Sequence, residues 1–236
     1  MKRITLIVLL LFPGLWLIAQ EFEPMEYDGL QYQQLAGKID GAEKPALVVF
    51  LHGGHARGDD NRKQIQLPAV KDISDYILKN QMPAYFLVPQ CPGDKEWVPQ
   101  RGTEGCSEQV LGLIYQYITE KGIDPTRVYL CSVSMGSWAS WTLVRDNPGL
   151  FAAAFIASGN HRGISPEQLT GTPLCITVGS QERTLDAIQW MADGIRKAGG
   201  TVEFDILTGC DHPRACNKAF TPKRLKWLFS QTKSNP

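Results

Sequence analysis

Three short segments carry residue types that together could attack an acyl carbon. The first is Ser132-Val133-Ser134-Met135-Gly136. It follows the β-rich apolar run 127–133 and opens a helical stretch over 136–146, which puts Ser134 at a strand–turn–helix junction. Such an elbow strains the backbone of its middle residue and lifts that side chain clear of the sheet. The residues two before and two after must be small so that strand and helix can approach, and here they are Ser132 and Gly136. A serine at a helix start is also a favoured cap, so the nucleophile reading depends on partners elsewhere in the chain.

Attack by a hydroxyl on a carbonyl creates an oxyanion, which needs preorganised N–H donors. One would be the amide of Met135, the residue after the nucleophile. The other would come from Leu51-His52-Gly53-Gly54-His55, at the end of an earlier apolar run, with Gly54 or His55 supplying the N–H. A serine hydroxyl also needs a base, and histidine has the right pKa. The chain has 4 histidines. His52 and His55 lie in the Gly-rich loop, and His161 follows the run 152–157. His212 alone, in Gly209-Cys210-Asp211-His212-Pro213, occupies the late loop that the order Ser–acid–His requires. The acid falls in Gly179–Asp186. Glu182, where the loop leaves the strand, is the first choice, and Asp186 is the alternative, one turn into the next helix.

The surrounding elements are suited to holding these groups. Short runs at 46–51, 84–88, 127–133, 152–157, 173–178 and 202–207 read as strands, most of them continuously apolar, with 46–51 and 84–88 as buried strands and 30–36 as a possible further strand. Helical periodicity covers 70–80, 107–121, 136–146, 184–198 and 221–230, while 21–29 reads as a polar leader and 55–63 and 91–103 as loops. Strands that alternate with helices and are apolar on both faces imply a mostly parallel sheet between helical layers. Ligands bind such sheets at the carboxyl ends of the strands, where the serine, glycine and histidine segments fall.

The chain has 236 residues, 43% hydrophobic and 20% charged. That is ordinary globular composition, long enough for a large core without a metal or disulfides. Its 24 basic and 24 acidic residues leave no electrostatic footprint for nucleic acid. Lys2 and Arg3, followed by the apolar run from Ile4 and by Leu17 and Ala19 before a cleavage point, read as a signal peptide over 1–19. An uncleaved anchor is the competing reading, but the run is broken by Pro13-Gly14 and is short for a membrane span. Export implies a secreted or periplasmic protein, with no stable membrane insertion after cleavage. Disulfides are then possible. Cys131 and Cys175 sit in apolar runs and read as buried thiols, whereas Cys91 with Cys106, or Cys210 with Cys216, could be bridged. No CxxC or HExxH suggests a metal site.

The sequence resembles the α/β-hydrolase superfamily, and within it the small phospholipase/carboxylesterase and polyhydroxybutyrate-depolymerase-like esterases. The resemblance covers about residues 45–230. It is carried by Leu47–Gly54 with Arg57-Gly58-Asp59-Asp60-Asn61, by Val88-Pro89-Gln90 with Trp97, and by Ile123-Asp124-Pro125 with Arg127-Val128-Tyr129. Ser134-Met135-Gly136, Gly149–Ala154 and Gly209–His212 complete it. It implies a mostly parallel sheet of about 6–8 strands with helices on both faces and no large cap domain, formed by residues 45–236 behind a leader and edge strand at 20–44. It also implies a serine hydrolase without cofactor, with Ser134 as nucleophile, His212 as base and Glu182 as acid. The expected reaction is cleavage of a small-molecule or polymer-linked carboxylic ester. His55, Trp97, Trp138 and His161 could line the site, and loops 55–68, 91–103 and 159–170 would set specificity. Ser132 and Glu182 stand where the family usually has Gly and Asp. A serine peptidase or other acyl hydrolase on the same scaffold is an alternative, as is a degenerate hydrolase that only binds a glycan or lipid.

Overall fold

A computed structural model describes residues 21–161 and 163–233. The expected signal segment lies outside the described residues. Among these residues eight strands form one sheet: β1 (Glu23–Tyr27), β2 (Leu30–Ala36), β3 (Ala46–Leu51), β4 (Ala84–Pro89), β5 (Val128–Val133), β6 (Ala153–Ala157), β7 (Leu174–Gly179) and β8 (Val202–Leu207). Among the described residues six α-helices accompany them: α1 (Pro68–Lys79), α2 (Ser107–Glu120), α3 (Met135–Asp146), α4 (Leu185–Lys197), α5 (His212–Lys218) and α6 (Pro222–Ser230). The strand order is β1-β2-β4-β3-β5-β6-β7-β8, and β3 to β8 run parallel. The antiparallel pairs are β1 with β2 and β2 with β4.

Every residue of β3, β5, β6 and β7 is buried. Because strand side chains alternate between faces, one apolar run feeds two cores. Leu47, Val49 and Leu51 of β3 pack in the core that α2, α3 and α4 cover through Leu113, Trp141 and Ile188. Val48 and Phe50 pack in the opposite core, which α1 and α6 cover through Ile73, Ile77 and Leu228. Among the described residues no helix is long and apolar enough to cross a membrane.

Two expectations need correction. The segment 21–29 is not merely a polar leader: residues 23–27 form edge strand β1. It turns into β2 through Asp28 (φ 47°) and Gly29 (φ 74°), the Asp-Gly pair that suits a tight hairpin. The strands over residues 23–36 therefore extend the same sheet. His212 is not in a loop: it is the first residue of α5, whose N-cap Asp211 accepts a hydrogen bond from the Arg214 amide at 3.1 Å, with Pro213 in the first turn.

Close packing of α3 on β3 depends on Gly136. A Cβ there would collide with the Leu51 carbonyl group, and rigid backbone cannot yield as a flexible side chain can. Gly136→Ala should cost about 3 kcal/mol and lower the melting temperature by about 6–12 °C, measured by thermal unfolding followed by circular dichroism.

Candidate active site

Ser134 caps α3 with φ 54° and ψ −115°. Those angles lie outside the usual regions for a residue with a side chain, so the surroundings must hold them. Its N–H donates to the Ala157 carbonyl at 3.0 Å and its own carbonyl accepts from the Trp138 amide at 3.1 Å. Beneath it, the Ser137 hydroxyl donates to Ala157 O at 2.7 Å, and the Ser132 hydroxyl reaches Phe155 O at 3.2 Å. Ser132 thus occupies the usual glycine position without crowding, its hydroxyl bonded to the neighbouring strand.

Ser134 Oγ lies 2.8 Å from His212 Nε2, and His212 Nδ1 lies 2.7 Å from Glu182 Oε2. With a neutral ring, Nδ1–H donates to the carboxylate and Nε2 accepts the serine O–H. Glu182 is thus the acid that meets His212, while Asp186 is exposed on the first turn of α4. The other carboxylate oxygen, Oε1, accepts the Gly179 amide and the Ser158 hydroxyl, both at 2.7 Å. Burial works to raise the Glu182 pKa, but the hydrogen bonds from His212, Gly179 and Ser158 outweigh it and hold the carboxyl below its ordinary range. His212 is pushed above its ordinary value, by the Cys216 sulfur 4.0 Å from Nε2 and by Glu182, against the opposing effect of burial.

The Gly-rich turn abuts Ser134. A Cβ on Gly53 would press on Ser134 Cβ and His55 Nδ1, both at 3.3 Å, and one on Gly54 would meet Met135 Sδ at 3.8 Å. The candidate oxyanion residues Gly54 and Met135 therefore adjoin, with exposed His55 beside them. His52 is fully buried. Its Nδ1–H donates to Gly53 O at 2.8 Å and its Nε2 accepts the Cys91 amide at 3.0 Å. Burial above all pushes its pKa down to about 4, leaving it neutral and suited to fixing the turn.

Trp97 does not line the site. It is buried behind the turn, with Nε1–H donating to His52 O at 3.0 Å. Trp138 does border an open depression of about 520 Å³, with Ser158, Asn160, Glu182 and His212. His161, next to Asn160 in sequence, is not among the residues that line it, and pairs with exposed Trp190, ring centroids 5.6 Å apart. Cys210 and Cys216 are not bridged: both are buried free thiols, and Cys216 faces His212 from one helical turn further on.

Ser158 carries no sequence signal. It follows β6 at φ 56°, and only the adjacency of β6 and β7 brings it to Glu182. Ser158→Gly keeps that backbone and removes the hydroxyl, so kcat should fall about 10-fold with KM little changed, the worth of one hydrogen bond to a charged group. Steady-state kinetics would measure it.

No protein-family model matches the sequence, and no curated protein matches it significantly. Solved structures do resemble it. A thermostable esterase superposes with a TM-score of 0.74 at 24% identity, covering 92% of this chain and 64% of its own. A fluorophosphonate-binding serine hydrolase of Staphylococcus aureus gives 0.69 at 11%, covering 89% and 99%. An acylaminoacyl peptidase of Pyrococcus horikoshii gives 0.63 at 15%, covering 93% and 43%. This chain thus spans less than two thirds of the esterase and under half of the peptidase. The parallel sheet, its elbow and these superpositions define an α/β-hydrolase fold.

Proposed function

We propose that the chain is a serine hydrolase that cleaves carboxylic esters through an acyl-enzyme, exported by the leader over 1–19. The observation that carries this reading is the unbroken Ser134–His212–Glu182 relay, with spacings of 2.8 and 2.7 Å, on a strained elbow. Ser134 Oγ attacks the acyl carbon as His212 Nε2 takes its proton. The carbonyl oxygen gains the negative charge opposite the amides of Gly54 and Met135. Collapse expels the alcohol, which leaves with the proton from His212. Water then repeats the sequence on the acyl-enzyme and returns the acid and free Ser134. Glu182 holds the ring in the Nδ1–H tautomer and stabilises the imidazolium. The open depression, with 45% of the His212 side chain exposed, suits bulky or polymer-linked esters.

A fluorophosphonate probe on the purified protein, with mass-spectrometric mapping of the adduct, tests the reading. A Ser134 adduct supports it, and a parallel panel of esters and amides separates esterase from peptidase. No adduct on folded protein would favour the binding-protein alternative.

A further inference from the structure

We propose that Cys91 and Cys106 form a disulfide that staples the 91–106 loop beneath the oxyanion turn. The two sulfurs lie 3.8 Å apart, and the residues are 0% and 2% exposed. Neither sits on a free loop tip. Cys91 comes two residues after β4, and its amide is fixed on His52 Nε2 at 3.0 Å. Cys106 is the N-cap of α2, and its amide donates to Glu96 O at 3.1 Å. Closure to a bond of about 2.05 Å needs side-chain rotation, and it forfeits only weak S–H contacts, from Cys91 to Lys95 O at 3.4 Å and from Cys106 to Glu96 O at 3.5 Å.

The other cysteines are placed differently. Cys131 on β5 and Cys175 on β7 both register on Phe155 of the intervening β6. That separates them by two strand spacings, about 9.5 Å, beyond disulfide reach. Cys216 faces the catalytic histidine.

The bond closes a loop with Trp97 inside it. Trp97 holds the His52 carbonyl, Cys91 holds the His52 ring, and His52 in turn holds Gly53. The staple therefore fixes both supports of the turn that carries Gly54. In the reaction the two thiols lose two protons and two electrons to a disulfide oxidant such as oxidised glutathione, which departs as two thiols by way of a mixed disulfide. The Cys106 thiol beside it and burial both push the Cys91 thiol far up. Thiolate attack is therefore slow in the native protein, and the bond forms while the chain folds.

The full chain would be reduced and unfolded, refolded in a glutathione redox buffer, then alkylated in denaturant and mapped. Four alkylated cysteines, a Cys91–Cys106 linked peptide and a melting temperature about 5–10 °C above that of the reduced protein are expected. The double variant Cys91→Ser/Cys106→Ser should abolish the difference. Six alkylated thiols, or a bridge between other cysteines, would overturn the proposal. If refolding yields aggregate, the same mapping on protein purified natively under oxidising conditions decides. The result does not depend on hydrolytic activity, so it stands or falls separately from the proposed function.

Discussion

Ser134→Ala should lower kcat by about 10⁴- to 10⁶-fold while leaving the fold intact. The expected loss is large because, in the proposed reaction, the hydroxyl forms the covalent bond to the acyl group. The exposed His55, beside Gly53 and Gly54, does not occupy the elbow position. The residual rate should come from the Gly54 and Met135 amides and from substrate positioning. Alanine keeps the Ser134 amide bond to Ala157 O and the carbonyl bond from Trp138, so circular dichroism and thermal unfolding should change little. Stopped-assay kinetics on an activated ester, with the fluorophosphonate probe as an active-site titrant, would measure the effect. Retention of more than about a tenth of the activity would mean that another group attacks the ester.

Glu182→Gln should cut kcat by about 10³- to 10⁴-fold, and Asp186→Asn should leave it within about twofold, as for an exposed surface residue. Glutamine retains the size and the hydrogen bonds from Gly179 and Ser158 but loses the charge. Its amide can also donate to Nδ1 and stabilise the wrong tautomer. The pH profile adds a sign. The reaction needs neutral His212, and the Cys216 sulfur and the Glu182 carboxylate both favour the protonated ring. In the wild type, kcat/KM should therefore fall as pH drops through a value above the ordinary 6.5 for histidine. Removing the carboxylate charge lowers the basicity of the ring, so the acid limb of Glu182→Gln moves to lower pH. A large loss in Asp186→Asn with little in Glu182→Gln would transfer the acid role.

The central strands were legible because each is apolar throughout, as a doubly covered sheet demands. The elbow was legible because it follows such a strand, and the late histidine because it follows the last strand, β8. β1 was not. Glu23–Glu26 are exposed, so no alternation marks the strand, and the Asp28-Gly29 turn was its only signal. α5 is seven residues long, too short for a hydrophobic period, and only Asp211 and Pro213 announce it. Trp97 shows the limit of residue type: an indole in a loop after a strand can line a cleft or brace a turn from behind, and only burial distinguishes them. Ser158 was invisible because its value lies in a left-handed backbone and a neighbour 24 positions away.

The working parts hang from β3, β5 and β7 and from the helix after β8, and nearly all of the joints between those strands are parallel. Parallel neighbours cannot pair until a crossover between them has formed, so the chain must close long loops before it gains contacts, and such topologies fold slowly. His212 belongs to the last quarter of the chain, so the site has no functional precursor among partly folded forms. On the proposed function, a newly made molecule would stay chemically inert until its final helices dock.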